Sequence, residues 1–382
     1  MSDLYRLLPE QEEFRRVVRG FALDKVAPRA AEIDATATYP EDLHSEIVKA
    51  DLLSVMFPQD VGGAGADAIS QAILVEELSR ICASTAMIVV LNKLAMIPLL
   101  LAASDDLKQA WIPDIIAGKA QAAYGLTEAE AGSDPASMRT KAVRDGDEYV
   151  LTGGKRFISN AGVATVYVIF AKTDPDAGAA GMSCFVVRAD TPGFSIPKFE
   201  DKMGLKGSPT GELLLEEVRV PASNLVGAEG EGFKIAMMTL DRSRPGIGAQ
   251  AVGIAQGAMD VALDYAKERR QFGKAIIEHQ GVGFMVADMA MKIRAARHLV
   301  YEAHAMIDRD DPELPTVAAE AKCFASDVAM AVATDAVQVL GGYGYIKDFP
   351  VERFMRDAKI TQLYEGTNQI QRVVIARQLA GS

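Results

Sequence analysis

The periodicity of apolar residues changes twice along the chain, and this constrains the fold more than any other feature. As far as about Ala120, apolar positions recur every three or four residues, as in Phe14, Val17, Val18 and Phe21 and again in Ile69, Ile73, Val75, Leu78 and Ile81. That spacing builds one face of a helix. The block opens at Leu4 and closes at Gly118, with Pro9, Pro28, Pro40, Pro58 and the cluster Gly62, Gly63, Gly65 marking the connections between successive helices; neither residue type continues a helix readily. From Tyr124 to about Gly227 the texture becomes short runs (149–152, 166–171, 183–187 and 212–218) punctuated by Gly, Pro and Asp. Enrichment in Val, Tyr, Ile and Phe between turns predicts antiparallel strands. Helical periodicity then returns from Gly232 to Ala380, in segments starting near Phe233, at His279 or Gly281, at Thr316 and at Thr367. The expected fold is α+β: an N-terminal helical domain (1–122), a middle antiparallel β-domain, barrel-like (123–230), and a C-terminal four-helix-bundle domain (231–382).

At a working size of about 150 residues per domain, 382 residues suffice for two or three cores without covalent staples. Forty basic against 52 acidic side chains leave a net charge of -12, which argues against a general nucleic-acid binder working by counterion release. An anionic ligand must therefore find local donors. Residues 86–103 are strongly apolar but interrupted by Asn92, Lys93 and Pro98, so a buried core helix is expected and not a bilayer span of about 20 clean residues. Asp3, Arg6, Glu10, Glu12 and Glu13 near the start, without an apolar run, do not resemble a targeting signal, and a cytoplasmic protein with no membrane partner is expected. Cys82, Cys184 and Cys323 are odd in number, far apart and outside any CxxC. They read as structural thiols in a reducing compartment, with no metal site.

Residues 246–270 hold Gly246, Gly248, Gly253 and Gly257 among alanines. An interior glycine costs up to about 1 kcal/mol relative to alanine, so this helix needs close neighbours. A crowded bundle core is the plain reading; approach to a flat ligand is the sharper one.

Several chemistries lack their motif. No Gly-Lys pair is followed by Ser or Thr, so there is no P-loop. Gly281, Gly283, Gly342 and Gly344 are fragments of a dinucleotide fingerprint in helical territory, with no strand before them. His44, His279, His298 and His304 form no metal-ligand spacing, and no Gly-x-Ser-x-Gly elbow occurs.

Three segments carry more. Residues 124–134 (Tyr-Gly-Leu-Thr-Glu-Ala-Glu-Ala-Gly-Ser-Asp) open the β-domain with hydroxyls and small residues, a loop able to offer N–H and O–H donors to a planar or phosphorylated ligand. Phe157, Ile158 and Ser159 pair an aromatic face with a hydroxyl. In residues 353–371, residues 357–364 look helical, Gly366 suits a C′ position and Thr367 can cap a helix over 368–380. Glu365 then lies at a break between two helices. Taken alone it reads as a solvated helix-end carboxylate, although Leu363, Tyr364 and Ile370 surround it in sequence.

These residues resemble the acyl-CoA dehydrogenase family over essentially the whole chain. Residues 124–134 are similar to the family's first signature; Gln338 to Gly342, Arg356 to Ile360 and Tyr364 to Gln371 together are similar to its second. Residues 269–273 (Arg-Arg-Gln-Phe-Gly) and 241–245 (Asp-Arg-Ser-Arg-Pro) lie between them in the family's order. The resemblance implies FAD, with Tyr124, Leu126, Thr127, Gly132, Ser133, Phe157, Ile158 and Ser159 lining the flavin. It implies that Arg269, Gln271, Phe272, Gln280, Gln338, Gly341 and Gly342 hold the pyrophosphate and adenosine across a subunit interface, completed by Thr367 and Gln369. A homotetramer, a dimer of dimers, follows. Ser133, Asp241, Arg244 and Gly366 would meet the acyl-CoA.

By the same resemblance Glu365 is the base that removes the α-proton of an acyl-CoA thioester, with a hydride passing from Cβ to flavin N5 on the other face. The thioester oxygen would be held by the Glu365 N–H and a flavin ribityl hydroxyl; losing one such donor typically costs about 10²–10³ in rate. Substrate binding dries the site and raises the carboxyl pKa toward useful basicity. Relatives acting on isovaleryl or long-chain groups carry their base at the position of Ser243, which cannot serve here. This places the chain with the short-, medium- and short-branched-chain enzymes. Phe157 replaces the usual Trp and Ala129-Glu130 the common Pro-Gly, implying a changed flavin environment. The expected product is a trans-2-enoyl-CoA and the expected electron acceptor an electron-transfer flavoprotein. The alternatives are an acyl-CoA oxidase on the same scaffold and a non-catalytic helical interaction protein.

Overall fold

A computed structural model describes residues 6–381; Leu4, where the helical block was expected to open, and Asp3 of the charged start lie outside them. The N-terminal helices are α1 (Pro9–Phe21), α2 (Ala30–Thr36), α3 (Glu41–Lys49), α4 (Ala68–Ser79), α5 (Ala83–Ala102) and α6 (Asp105–Ile116). Pro9 sits in the first turn of α1, where its missing N–H costs nothing. Pro28 was expected to separate two helices. Instead a π turn (Ala22–Val26) and a 3-10 turn (Ala27–Arg29) carry the chain from α1 toward α2, absorbing the proline by changing the hydrogen-bond spacing.

By length and composition α5 could span a membrane, contrary to the sequence expectation, yet 78% of its most apolar window is buried inside the fold. Asn92 explains how a polar residue survives there. Its Nδ2 donates to Ile88 O at 2.9 Å and its Oδ1 accepts the Ala122 N–H at 2.8 Å. The Ala122 carbonyl accepts from Asn160 Nδ2 at 2.9 Å. One buried helix and the end of a strand thus pin the first strand of the next unit.

The strands are β1 (Ala122–Gly125), β2 (Lys141–Asp145), β3 (Glu148–Ser159), β4 (Val166–Lys172), β5 (Met182–Arg188), β6 (Phe194–Phe199), β7 (Thr210–Pro221) and β8 (Leu225–Val226). They form one eight-stranded sheet in the order β6-β7-β3-β2-β4-β5-β8, with β1 on β4. Pairing is antiparallel as expected except that β4 runs parallel to β1 and meets β2 in parallel at its end. The β2–β3 hairpin intervenes between β1 and β4, so the chain re-enters in the same direction. Strand β4 is buried along its whole length because both faces are covered. Tyr167, Ile169 and Ala171 face the β-domain's own core, while Val166, Val168 and Phe170 join the helical core.

The C-terminal unit comprises α7 (Gly232–Glu268), a small hairpin of β9 (Arg270–Gln271) and β10 (Lys274–Ala275), then α8 (Gln280–Asp308), α9 (Leu314–Leu340), α10 (Val351–Thr361) and α11 (Asn368–Ala380). Helices α7 to α10 pack on one another, with α11 laid on α9. Helix α7 starts at Gly232, as expected for the segment near Phe233, but runs on through Pro245 so that the glycine-rich stretch from Gly246 is part of the same helix. Its glycines serve close packing. A Cβ at Gly253 would lie 2.3 Å from the Glu76 carbonyl and one at Gly257 2.1 Å from that of Arg80, so only glycine lets α7 meet the end of α4. Cys82, Cys184 and Cys323 are free and buried.

Candidate active site

Helix α10 ends at Thr361, and Leu363 and Tyr364 donate back to Ile360 O at 2.8 and 3.1 Å. Glu365 then adopts φ +52° and Gly366 φ +90°. A left-handed conformation costs a non-glycine residue about 1 kcal/mol or more, so packing must impose it at Glu365. The Asn368 N–H closes the turn on Gln362 O at 3.0 Å, and Thr367 Oγ1 caps α11 by accepting the Ile370 N–H at 3.3 Å. The capping expectation at Thr367 is met.

This turn sets Glu365 on the wall of a cavity of about 520 Å³. Tyr124, Leu126 and Thr127 come from β1 and the loop after it, Gly132 and Ser133 from further along that loop, and Phe157, Ile158 and Ser159 from the end of β3. Helix α5 contributes Met87, Leu91 and Leu94, α7 Phe233, Met237, Leu240 and Arg244, and α11 Ile370, Val373 and Val374. The wall facing the carboxylate is therefore largely apolar. Glu365 Oε2 accepts from Ser243 Oγ at 2.6 Å, and its backbone O accepts from Gln371 Nε2 at 3.2 Å and Arg244 Nε at 3.4 Å. Burial raises the Glu365 pKa above the usual glutamate value, opposed by the Ser243 hydrogen bond and by the charges of Arg244 and Lys322. Glu365 is not a solvated helix-end carboxylate.

A change of register in the β3–β7 pairing between Lys155 and Ile158 turns Phe157 out of the sheet. Its backbone is left-handed, φ +58°, and its ring is 59% exposed, with the Arg156 guanidinium 5.4 Å from its centroid. Ile158 borders the same cavity, but its side chain sits in the β-domain core. The loop between Leu126 and Thr140 is held to β3 by a buried ion pair, Lys155 Nζ to Glu128 Oε1 at 2.7 Å, and the other Glu128 oxygen accepts the Arg139 N–H at 2.6 Å. The Tyr124 hydroxyl is buried with no hydrogen-bond partner, and a Cβ at Gly132 would meet no atom within 4 Å. An exposed aromatic face, an orphaned hydroxyl and an open glycine on one cavity fit a flat polar cofactor.

The remaining expected residues lie elsewhere. Arg269, Gln271, Gly341 and Gly342 line a separate cleft of about 520 Å³ between the β9–β10 hairpin and the end of α9, where Arg269 lies 5.9 Å over the Tyr343 ring. Phe272 at the hairpin tip is 94% exposed, again with positive φ. Gln280, Gln338 and Gln369 are exposed and line neither cavity. Thr367 is occupied as a helix cap. Asp241 does not line the Glu365 cavity but pairs with Arg244, Oδ1 to Nη1 at 2.8 Å; Ser133, Arg244 and Gly366 do line it. Sequence reasoning missed Gln371 and Lys322, which hold the turn from behind. Lys322 was findable as a lone cation in an alanine-rich helix.

Comparison with known proteins finds relatives along the whole chain. Three family models match: acyl-CoA dehydrogenase N-terminal domain over residues 8–119, middle domain over 123–218 and C-terminal domain over 230–380. A probable acyl-CoA dehydrogenase of Mycobacterium tuberculosis is 52% identical over 377 residues, 99% of this chain and 97% of that protein. Butyryl-CoA dehydrogenase of Megasphaera elsdenii superposes with TM-score 0.95 at 41% identity, covering 98% of this chain and 99% of that one. A chain from a structure described as the electron transferring flavoprotein of Acidaminococcus fermentans superposes with TM-score 0.97 at 45% identity, covering 99% and 100%.

Proposed function

Since the chain belongs to the acyl-CoA dehydrogenase family and is an FAD-dependent oxidoreductase, we propose that it desaturates a short or branched acyl-CoA to the trans-2-enoyl-CoA, with Glu365 as general base. The observation that carries this is the placement of the Glu365 carboxylate, half-buried and without an ion pair among the described residues, on a largely apolar cavity wall. A base needs a raised pKa and a dry approach to its proton, and burial supplies both. Ser243, at the position where other family branches place their base, bonds Glu365 Oε2 and orients it. Oε1 accepts no hydrogen bond among the described residues and takes the α-proton. The Glu365 N–H is likewise uncommitted and is assigned to the thioester oxygen, whose negative charge grows as the proton leaves.

FAD, when bound, supplies the hydride acceptor. Tyr124, Leu126, Thr127, Gly132, Ser133, Phe157 and Ser159, with the backbone of Ile158, would hold its flavin end. Arg269, Gln271, Phe272, Gln280, Gln338, Gly341 and Gly342, with Thr367 and Gln369, would hold the diphosphate and adenosine of a neighbouring subunit; the separate cleft lined by Arg269, Gln271, Gly341 and Gly342 and the exposure of Phe272 support this. A homotetramer follows from that sharing. Arg244, paired with Asp241, together with Ser133 and Gly366 would meet the thioester end of the substrate. Similarity to butyryl-CoA dehydrogenase supports a short acyl chain. Similarity to the Acidaminococcus chain supports an electron-transfer flavoprotein as acceptor. Three free, buried thiols are in keeping with a reducing, cytoplasmic setting.

Anaerobic mixing with saturated acyl-CoAs, straight and branched, should bleach the flavin fastest with short or short-branched chains, and Glu365→Gln should remove the bleaching. Bleaching that persists in Glu365→Gln defeats the assignment. Oxygen uptake matching turnover would make the protein an oxidase instead.

A further inference from the structure

Lys322 lies in the first half of α9, among the buried alanines Ala318, Ala319, Ala321 and Ala325, and is completely buried. It makes no ion pair among the described residues; its Nζ donates to Gly366 O at 2.7 Å and Asn368 Oδ1 at 2.9 Å. A buried ammonium without a carboxylate in contact is costly, and a methionine would fill the same space. The charge therefore calls for a reason beyond packing. Asn368 is itself fixed, donating to Asp327 Oδ1 at 2.8 Å and Ser326 Oγ at 2.9 Å. Gly366 O also accepts from Gln371 Nε2 at 2.9 Å. With Arg244 and Gln371 on the Glu365 carbonyl, the two carbonyls of the left-handed pair are gripped from α7, α9 and α11.

We propose that Lys322 is a positioning residue for Glu365: its hydrogen bond to Gly366 O holds the turn that presents the carboxylate and sets the ammonium one residue from the base. The inference rests on Glu365 being the base. The titratable and charged groups around Glu365 are Asp241 and Arg244 from α7, Lys322 from α9, Tyr124 from β1, the adjacent Tyr364, and Arg377 of α11 along the cavity wall. Asp241 is paired with Arg244, and burial keeps both phenols neutral. Arg244 and Lys322 are thus the two cations that lower the Glu365 pKa. Burial brings Lys322 down to about 8, opposed chiefly by Glu365, so it remains mostly charged at neutral pH.

The test reads the carboxyl in the resting, FAD-loaded protein. In an infrared titration, the carboxyl band missing from Glu365→Gln reports protonation of Glu365. Lys322→Met and Lys322→Gln should both move its midpoint up by about one pH unit or more. Flavin reduction should slow by about tenfold or more in Lys322→Met and less in Lys322→Gln, whose amide can still donate to Gly366 O. An unmoved midpoint in either folded variant overturns the role of the charge, and wild-type reduction by Lys322→Met overturns the positioning. If Lys322→Met does not fold, the gentler Lys322→Gln carries the infrared measurement. Persistent reduction by Glu365→Gln strikes the base assignment alone, since the infrared midpoint is read without turnover.

Discussion

The Glu365 cavity and the edge around Arg269 and Phe272 use similar local devices to opposite ends. Each places a non-glycine residue in the left-handed region, at Glu365 and Phe157 in one and at Phe272 in the other. In the cavity the helices close around the carboxylate, and desolvation changes its chemistry. At the edge a two-strand hairpin holds Phe272 out, 94% exposed, with the Arg269 guanidinium over the Tyr343 ring close by. Burial converts an ordinary side chain into a reagent; presentation converts one into a contact. The first kind of site is walled by this chain's own elements, and the second leaves its aromatic ring open to solvent.

The sharpest way to break this comparison is Glu365→Gln. It should lower single-turnover flavin reduction by about 10³- to 10⁴-fold while FAD content, read from the visible spectrum, stays at the wild-type level. Loss of FAD from that variant would erase the distinction between reagent and contact. Arg269→Ala should do the reverse, weakening FAD retention by about tenfold, measured by release of flavin fluorescence on dilution, with reduction per bound flavin essentially unchanged.

Stability sharpens the contrast further. The Glu365 pKa is raised in the folded state, so folding favours its protonated form. The resulting penalty is absent below the unfolded value of about 4.5 and grows as pH rises above it. Glu365→Gln should therefore raise Tm by about 1–2 °C near neutral pH, and the gain should vanish in calorimetry at acidic pH. Lower stability of this variant at pH 7 would show that the carboxylate is stabilising where it stands. The smallest effect is expected from Phe157→Trp. The outward ring position is set by the β3–β7 register change, so the larger ring should alter flavin absorbance and fluorescence with little effect on reduction.

Much of this was legible locally. The Thr367 cap, the turn at Gly366 and the placement of Glu365 between two helices involve residues within a few positions of each other, and the structure reproduces them. The Phe157 position was legible as a motif, but its outward ring was not, because it depends on how β3 pairs with β7, some fifty residues later in the chain. The start of α7 near Phe233 was legible, but its unbroken run through Pro245 was not, for a related reason. Pro245 is an unfavourable interior residue, and only burial among neighbouring elements explains its inclusion. Lys322 and Gln371 escaped notice because nothing in their own helices says that the Glu365 turn lies against them.

The amino-acid sequence by itself determined the order of three units, the capped break at Glu365 and the family-like motifs, since propensity and capping act over single turns. The tertiary structure alone decided that this carboxylate is half-buried, bonded to Ser243 from 122 positions away and set one residue from the carbonyl that the Lys322 ammonium holds. Desolvation and Coulomb terms belong to whichever groups are neighbours in space, and chain distance carries no record of them.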